Sequence, residues 1–187
     1  MRAICIHEFG APGVLRMEDI AAPVPGPSDV LIRVIAASVN PIDCKIRSGR
    51  MKDALRRPLP VVLGWDAAGI VESVGASVTR FQPGDAVYAY PEFARGGTYA
   101  EYVAVDESQV ALKPRTISFA AAASLPMTAQ AAWTAVISQP DRECWSTEPP
   151  VGLVRSRFNL PGNAALTSLP PPLATGLAWS DHWGRTR

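Results

Sequence analysis

The chain is poor in the residues that bind metals and form disulfides. Its three cysteines, Cys5, Cys44 and Cys144, are odd in number, far apart and without a CxxC pair, and its two histidines are His7 and His182. This argues against a disulfide framework and against a cysteine-built zinc site. An excess of one charge is missing too. Up to Gln139 there are 13 basic against 13 acidic residues, and beyond it 5 against 4, so neither piece has the basic surplus of a nucleic-acid binder. No apolar run approaches a bilayer span, and Met1 to Gly10, which carries Arg2, His7 and Glu8, lacks the apolar stretch of a signal peptide. These absences point to a cytoplasmic, reducing compartment, with neither nucleic acid nor membrane as partner. Also absent is any GxGxxG between a strand and a helix, the pattern that cradles a dinucleotide.

What is present divides at Gln139. In front, 48% hydrophobic and 19% charged overall composition is accompanied by alternating, well-punctuated patterning of the ordinary soluble kind. Behind it, Pro140 to Arg187 hold seven prolines in 48 residues, three of the five tryptophans and no lysine. Pro149-Pro150 and Pro170-Pro171-Pro172 block regular structure there, and the apolar residues keep neither period. Forty-eight residues are too few for the βαβ units of a doubly wound sheet, at about 30 residues each. The expectation for 140–187 is a Pro-rich tail that is disordered or translated out of frame. The excess of 15 arginines over 3 lysines fits GC-rich coding, in which out-of-frame peptides are rich in Pro, Arg, Gly and Ala.

The front reads as strands first and helices late. Arg2 to Ile6 and Leu15 to Asp19, separated by Phe9-Gly10-Ala11-Pro12-Gly13, predict an opening hairpin. Pro23 to Asp29 is loop, and Val30 to Ala37 a buried strand bearing one charge at Arg33. Ala67 to Val74 and Ala86 to Ala89 are strands flanking a turn at Pro83-Gly84-Asp85, and Tyr99 to Val105 alternates as another strand. Ser118 caps a helix over Phe119 to Leu125, and a second runs from Thr128 to Ser138, with Pro126 between them. Many short strands followed by helices describe a β-rich domain of barrel type.

Four segments in register carry a specific resemblance: Ser38-Val39-Asn40-Pro41-Ile42-Asp43; Gly64-Trp65-Asp66-Ala67-Ala68-Gly69 continuing to Gly75 and on to Phe81-Gln82-Pro83-Gly84-Asp85; Gly96-Gly97-Thr98-Tyr99-Ala100-Glu101-Tyr102-Val103; and Leu125-Pro126 leading to Ala132-Trp133. Over residues 1 to about 138 the chain resembles the medium-chain dehydrogenases/reductases, most of all their quinone oxidoreductase branch. The resemblance implies a GroES-like, partly open β-barrel over 1–125, a helix over 126–139 that leads into a Rossmann domain, and a chain truncated before that domain.

It also implies a chemistry. Where zinc alcohol dehydrogenases place cysteine, histidine and cysteine, thiolate and imidazole donors suited to a tetrahedral ion, this sequence has Asn40, Trp65 and a position near Met127. The resemblance therefore implies a zinc-independent oxidoreductase that transfers a hydride from NADPH to a quinone or conjugated enone, with the cofactor carrying the redox chemistry. Asn40 takes a cofactor-positioning role, Asp43 a hydrogen-bonding role in the cleft, and Thr128 lies a helical turn before Ala131, where many relatives have the threonine near the nicotinamide. Each has a plainer reading: Asn40-Pro41 as a strand-ending turn, Asp43 as structural, and Thr128 as a solvent-facing helix residue. The basic stretch Lys45, Arg47, Arg50, Lys52, Arg56 and Arg57 reads as a solvated loop, and Trp133 and Ile137 as core. Lacking a nucleotide-binding fingerprint, the chain is expected to be inactive alone. The alternative is a non-catalytic GroES-like interaction or decoy module, either a homo-oligomer or docked to a full-length relative.

Overall fold

A computed structural model describes residues 1–55, 57–95 and 97–135. The expectations for Arg56, Gly96, Ile137 and the 140–187 tail lie outside the described residues. Met1–Ala129 form one compact unit, and Gln130 begins a second.

The opening hairpin is present. β1 (Arg2–Ile6) pairs antiparallel with β2 (Arg16–Asp19), Ile4 opposite Met17. On its other edge β1 pairs with the two-residue β4 (Val61–Val62), so the small sheet has the order β2-β1-β4. The larger sheet is built on β3 (Asp29–Ala37) and β5 (Ala67–Val74), paired antiparallel with two register shifts. β6 (Ala86–Ala89), β7 (Tyr102–Asp106) and β8 (Val110–Leu112) complete the order β7-β3-β5-β6-β8. The two sheets meet where Ala3 bridges Ala100 and the Ile4 N–H donates to the Tyr99 carbonyl at 2.8 Å. The result is the partly open β-barrel of the GroES-like type, mainly β.

Period-two alternation explains how the barrel fills. Val30 and Ile32 of β3, Ala67 and Val71 of β5, Val87 and Ala89 of β6, and Val103 and Val105 of β7 point to one face and form the main core. β3 is buried only in its first half. From Arg33 onward it alternates between exposed and half-buried, because β7 stops pairing with it at Arg33. A second cluster joins Ile6, Ile42, Ile46, Leu55, Val61, Leu63 and Trp65.

Helices do not arrive only late. α1 (Pro41–Arg47) stands between β3 and β4. It is too short to show a period, and its signal is in its caps: Asn40 at the N-cap, Pro41 in the first turn and Asp43 at the third position. α2 (Phe119–Ala123) is capped as expected, the Ala121 N–H donating to Ser118 Oγ at 3.1 Å. Its Ala122 and Ala123 pack on Ala68. Pro126 does not merely separate two helices; it is the first residue of α3 (Pro126–Trp133). A proline at that position forfeits no helical hydrogen bond and pre-sets φ.

Candidate functional site

The site begins with a glycine. Gly64 has φ +93°, and a Cβ there would lie 2.5 Å from both Thr98 Oγ1 and the Tyr99 ring. Only glycine allows that approach. Two backbone bonds use it: Thr98 N–H to the Gly64 carbonyl and Tyr99 N–H to the Leu63 carbonyl, both 2.9 Å. Tyr99 is thereby laid against the chain that carries Trp65 and Asp66.

Trp65 is wholly buried and stacks at a tilt on Phe93, with ring centroids 4.9 Å apart. At the position where zinc relatives have an imidazole there is a core side chain. Asp66, the next residue, is 0% exposed. A buried carboxylate persists only where donors replace its water, and Asp66 has three. Its Oδ2 accepts from Ser38 Oγ at 2.6 Å and from Asn40 Nδ2 at 2.7 Å, and its Oδ1 accepts from the Met127 N–H at 2.8 Å. One carboxylate thus ties the end of β3, the N-cap of α1 and the first turn of α3. Asn40 Nδ2 also donates to Ser38 Oγ at 3.1 Å.

The predicted site residues fall in and around this cluster. Asn40 is half-buried, with its amide nitrogen committed to Ser38 and Asp66 and its side chain forming a capping box with Asp43 at the start of α1. Asp43 is 3% exposed. Its Oδ2 accepts from the Asn40 N–H and from Tyr99 OH at 2.8 Å, while Oδ1 is buried and accepts from no donor among the described residues. Burial pushes the Asp43 carboxyl above its ordinary range, with the nearby Asp66 charge adding and the two hydrogen bonds opposing. Burial, followed by the charge of Asp43, pushes the Tyr99 phenol well above its own. Asp43 therefore has a folding task, capping α1 and anchoring Tyr99. Thr128 is exposed and follows Met127, whose N–H is held by Asp66.

The remaining positions divide. Among the described residues no three His, Cys, Asp or Glu side chains converge in a way that could hold a metal ion. The basic stretch is not one solvated loop. Lys45 and Arg47 lie on α1, and Arg47 Nη1 donates to the Gly10 carbonyl at 2.8 Å. Arg57 is half-buried and donates through Nη2 to the Val62 carbonyl at 3.2 Å. Both turn inward because guanidinium can satisfy backbone carbonyls that the short neighbouring elements leave open. Arg50 and Lys52 are exposed, and Trp133 is half-buried. Sequence reasoning missed Ser38, Asp66 and Tyr99 as members of the site. Their signal was their place inside the four motif segments, since nothing local distinguishes a buried acid from an exposed one.

Residues 26–115 match the family described as alcohol dehydrogenase GroES-like domain. Over 140 residues the chain is 41% identical to 2-methylene-furan-3-one reductase of Solanum lycopersicum, covering 71% of this chain and 36% of that protein. It is 43% identical over 139 residues to the chloroplastic NADPH-dependent alkenal/one oxidoreductase of Arabidopsis thaliana, again covering 71% of this chain and 36% of the relative. Among solved structures, the quinone oxidoreductase from Coxiella burnetii superposes with a TM-score of 0.71 at 36% identity, over 75% of this chain and 45% of that one. The chain thus spans little more than a third of the length of these curated relatives. Barrel, motif order and relatives agree: residues 26–115 are an alcohol dehydrogenase GroES-like domain, and the chain is similar to the medium-chain dehydrogenases/reductases of the quinone oxidoreductase-like branch.

Proposed function

We propose that this chain provides the acceptor-side domain of a zinc-independent NADPH oxidoreductase acting on a quinone or a conjugated enone. The observation that carries the reading is the Asp66 cluster. Where zinc relatives assemble a metal, this chain builds a hydrogen-bonded carboxylate that fixes Asn40 and the start of α3. The names of the relatives, which include an alkenal/one reductase and a quinone oxidoreductase, support the same class of acceptor.

The donor set fits a nicotinamide. Asn40, held by Asp66 at the N-cap of α1, is the half-buried amide that would orient a nicotinamide carboxamide, and the exposed hydroxyl of Thr128 offers a second polar contact. When bound, NADPH supplies the hydride. Asn40 orients, Asp66 holds Asn40 in place, and Asp43 with Tyr99 fixes the turn from which Asn40 projects. Such positioning accounts for much of what a protein adds to a hydride transfer. Quinones and conjugated enones are electron-poor and need less polarisation than a simple carbonyl, which suits a site without a Lewis acid. Cys5 and Cys44 are both free thiols, in keeping with a reducing compartment such as the cytoplasm.

The 187 residues contain no dinucleotide fingerprint. We therefore expect weak NADPH binding by this chain alone, and that same feature favours the second reading, a non-catalytic interaction module. NADPH consumption at saturating benzoquinone or butenone separates the two. It is measured for the chain itself and for a fusion in which the cofactor-binding portion of the Arabidopsis relative follows Trp133. Turnover by the folded fusion supports the reductase reading. No turnover by a fusion that binds NADPH contradicts it and leaves the interaction module.

A further inference from the structure

β2 is the outermost strand of the small sheet, and the bonds of its neighbour show which of its backbone groups face outward. On β1, the Ile4 N–H donates to the Tyr99 carbonyl at 2.8 Å, and the Arg2 carbonyl accepts from the Glu101 N–H at 3.1 Å. The backbone groups of Arg2 and Ile4 therefore point away from β2. Opposite residues of an antiparallel ladder alternate between pairs that exchange both bonds and pairs that exchange none. Met17 lies opposite Ile4, and Asp19 opposite Arg2, so these are the pairs without bonds. The N–H and C=O of Met17 thus point to the free edge, where no strand pairs with β2 among the described residues. The Met17 side chain is 71% exposed and borders a groove with Ile4 and exposed Ile35.

An open edge is a template for another strand, and charges on it ordinarily block pairing. Here the charges are self-complementary. β2 runs Arg16-Met17-Glu18-Asp19. Set antiparallel against a second copy of itself with Met17 opposite Met17, each Arg16 falls opposite the Glu18 of the other copy. Outward-facing residues then meet one another, as ladder geometry requires. Moving the two-fold centre by one residue, to Arg16 or to Glu18, would oppose two like charges, which is destabilising. Arg16 is exposed and has no ion-pair partner among the described residues. Glu18 pairs with His7 Nε2 at 2.8 Å and stays partly exposed. The same register continues the apolar pair of each hairpin into one row of four side chains, Ile4 and Met17 from each copy.

We propose that β2 is a self-association edge, through which two copies join their small sheets antiparallel. The two Met17 residues exchange backbone hydrogen bonds at the centre, and an Arg16–Glu18 ion pair forms on either side. Four residues of edge bury far less than the roughly 1,600 Å² of a standard interface, so the dimer is weak and reversible, with a Kd on the order of 0.1 mM.

Sedimentation equilibrium of the whole 187-residue chain, from well below that concentration to well above it, is expected to show a monomer passing to a dimer. Arg16→Glu and Glu18→Arg each place like charges opposite one another in both pairs and are expected to weaken self-association about tenfold or more. An equimolar mixture of the two variants is expected to associate more tightly than either alone. It opposes the two introduced charges to each other and keeps one native pair. Met17→Pro removes the outward N–H and is expected to abolish the dimer. A monomer at every concentration overturns the interface. A dimer as tight in Arg16→Glu as in wild type overturns β2 as its edge. A mixture no tighter than its components overturns the register.

Discussion

The Asp66 cluster and the surroundings of Arg57 and Asp29 both set polar groups inside one small barrel, and they are built on opposite terms. At Asp66 a wholly buried carboxylate meets three donors from three elements. At Arg57 a half-buried guanidinium meets one carbonyl, and its Nε, like Asp29 Oδ1, is buried without a partner among the described residues. The first arrangement holds parts of the fold in register, since a fully satisfied network specifies one geometry. The second leaves buried polar atoms unmatched, which costs stability where the first adds it.

The largest expected effect breaks the matched side. Asp66→Ala strands the donors of Ser38, Asn40 and Met127 inside the protein. It is expected to cost roughly 3–5 kcal/mol, the range for removing one partner from a buried charged network, read as a fall in the urea midpoint. Tyr99→Phe removes one donor from Asp43 and keeps the ring packing, so a smaller loss of about 1 kcal/mol is expected by the same measurement. Arg57→Gln should be nearly neutral, within about 0.5 kcal/mol of wild type, because it removes a charge that no protein group balances. If Arg57→Gln were as damaging as Asp66→Ala, the contrast between the two regions would be wrong.

Asp43 sharpens the same comparison through pH. Burial raises its carboxyl, so the folded state holds that proton more tightly than the unfolded chain does. Its contribution to stability is full below the ordinary carboxylate value and is lost as pH rises through the raised one. Asp43→Asn keeps an acceptor for Tyr99 OH and the Asn40 N–H but cannot ionise. Relative to wild type, the variant should therefore gain stability as pH climbs through that window and hold a constant advantage above it. Unfolding curves at a series of pH values would show this; parallel curves at every pH would remove Asp43 as an ionisable member of the site.

Much of the barrel was legible in the sequence because its signals are local. Ala67–Val74, a β-branched run, and Ala86–Ala89, which follows the Pro83-Gly84-Asp85 turn, form strands with the bounds expected of them. The Pro83-Gly84-Asp85 step is a turn with Gly84 at φ +95°, and Ser118 caps its helix. What was missed is non-local or too short. α1 is seven residues long and is announced only by its caps. Asp66 and Ser38 are 28 positions apart, and Asp43 and Tyr99 are 56 apart. No window on the sequence sees such pairs. Asn40 and Asp43 were chosen for the cleft, and the structure adds that one is an N-cap and the other its return bond.

We propose that a hydrogen-bonded amide at Asn40, in place of a metal, positions the nicotinamide. Steady-state kinetics of Asn40→Ala in the active fusion, with NADPH varied at fixed quinone before and after dialysis against a chelator, tests it most directly. kcat/KM for NADPH is expected to fall by roughly 10–100-fold, the scale of a lost positioning contact, with chelation changing neither protein. Unaltered kcat/KM in Asn40→Ala, or activity that chelation removes and zinc restores, would contradict it.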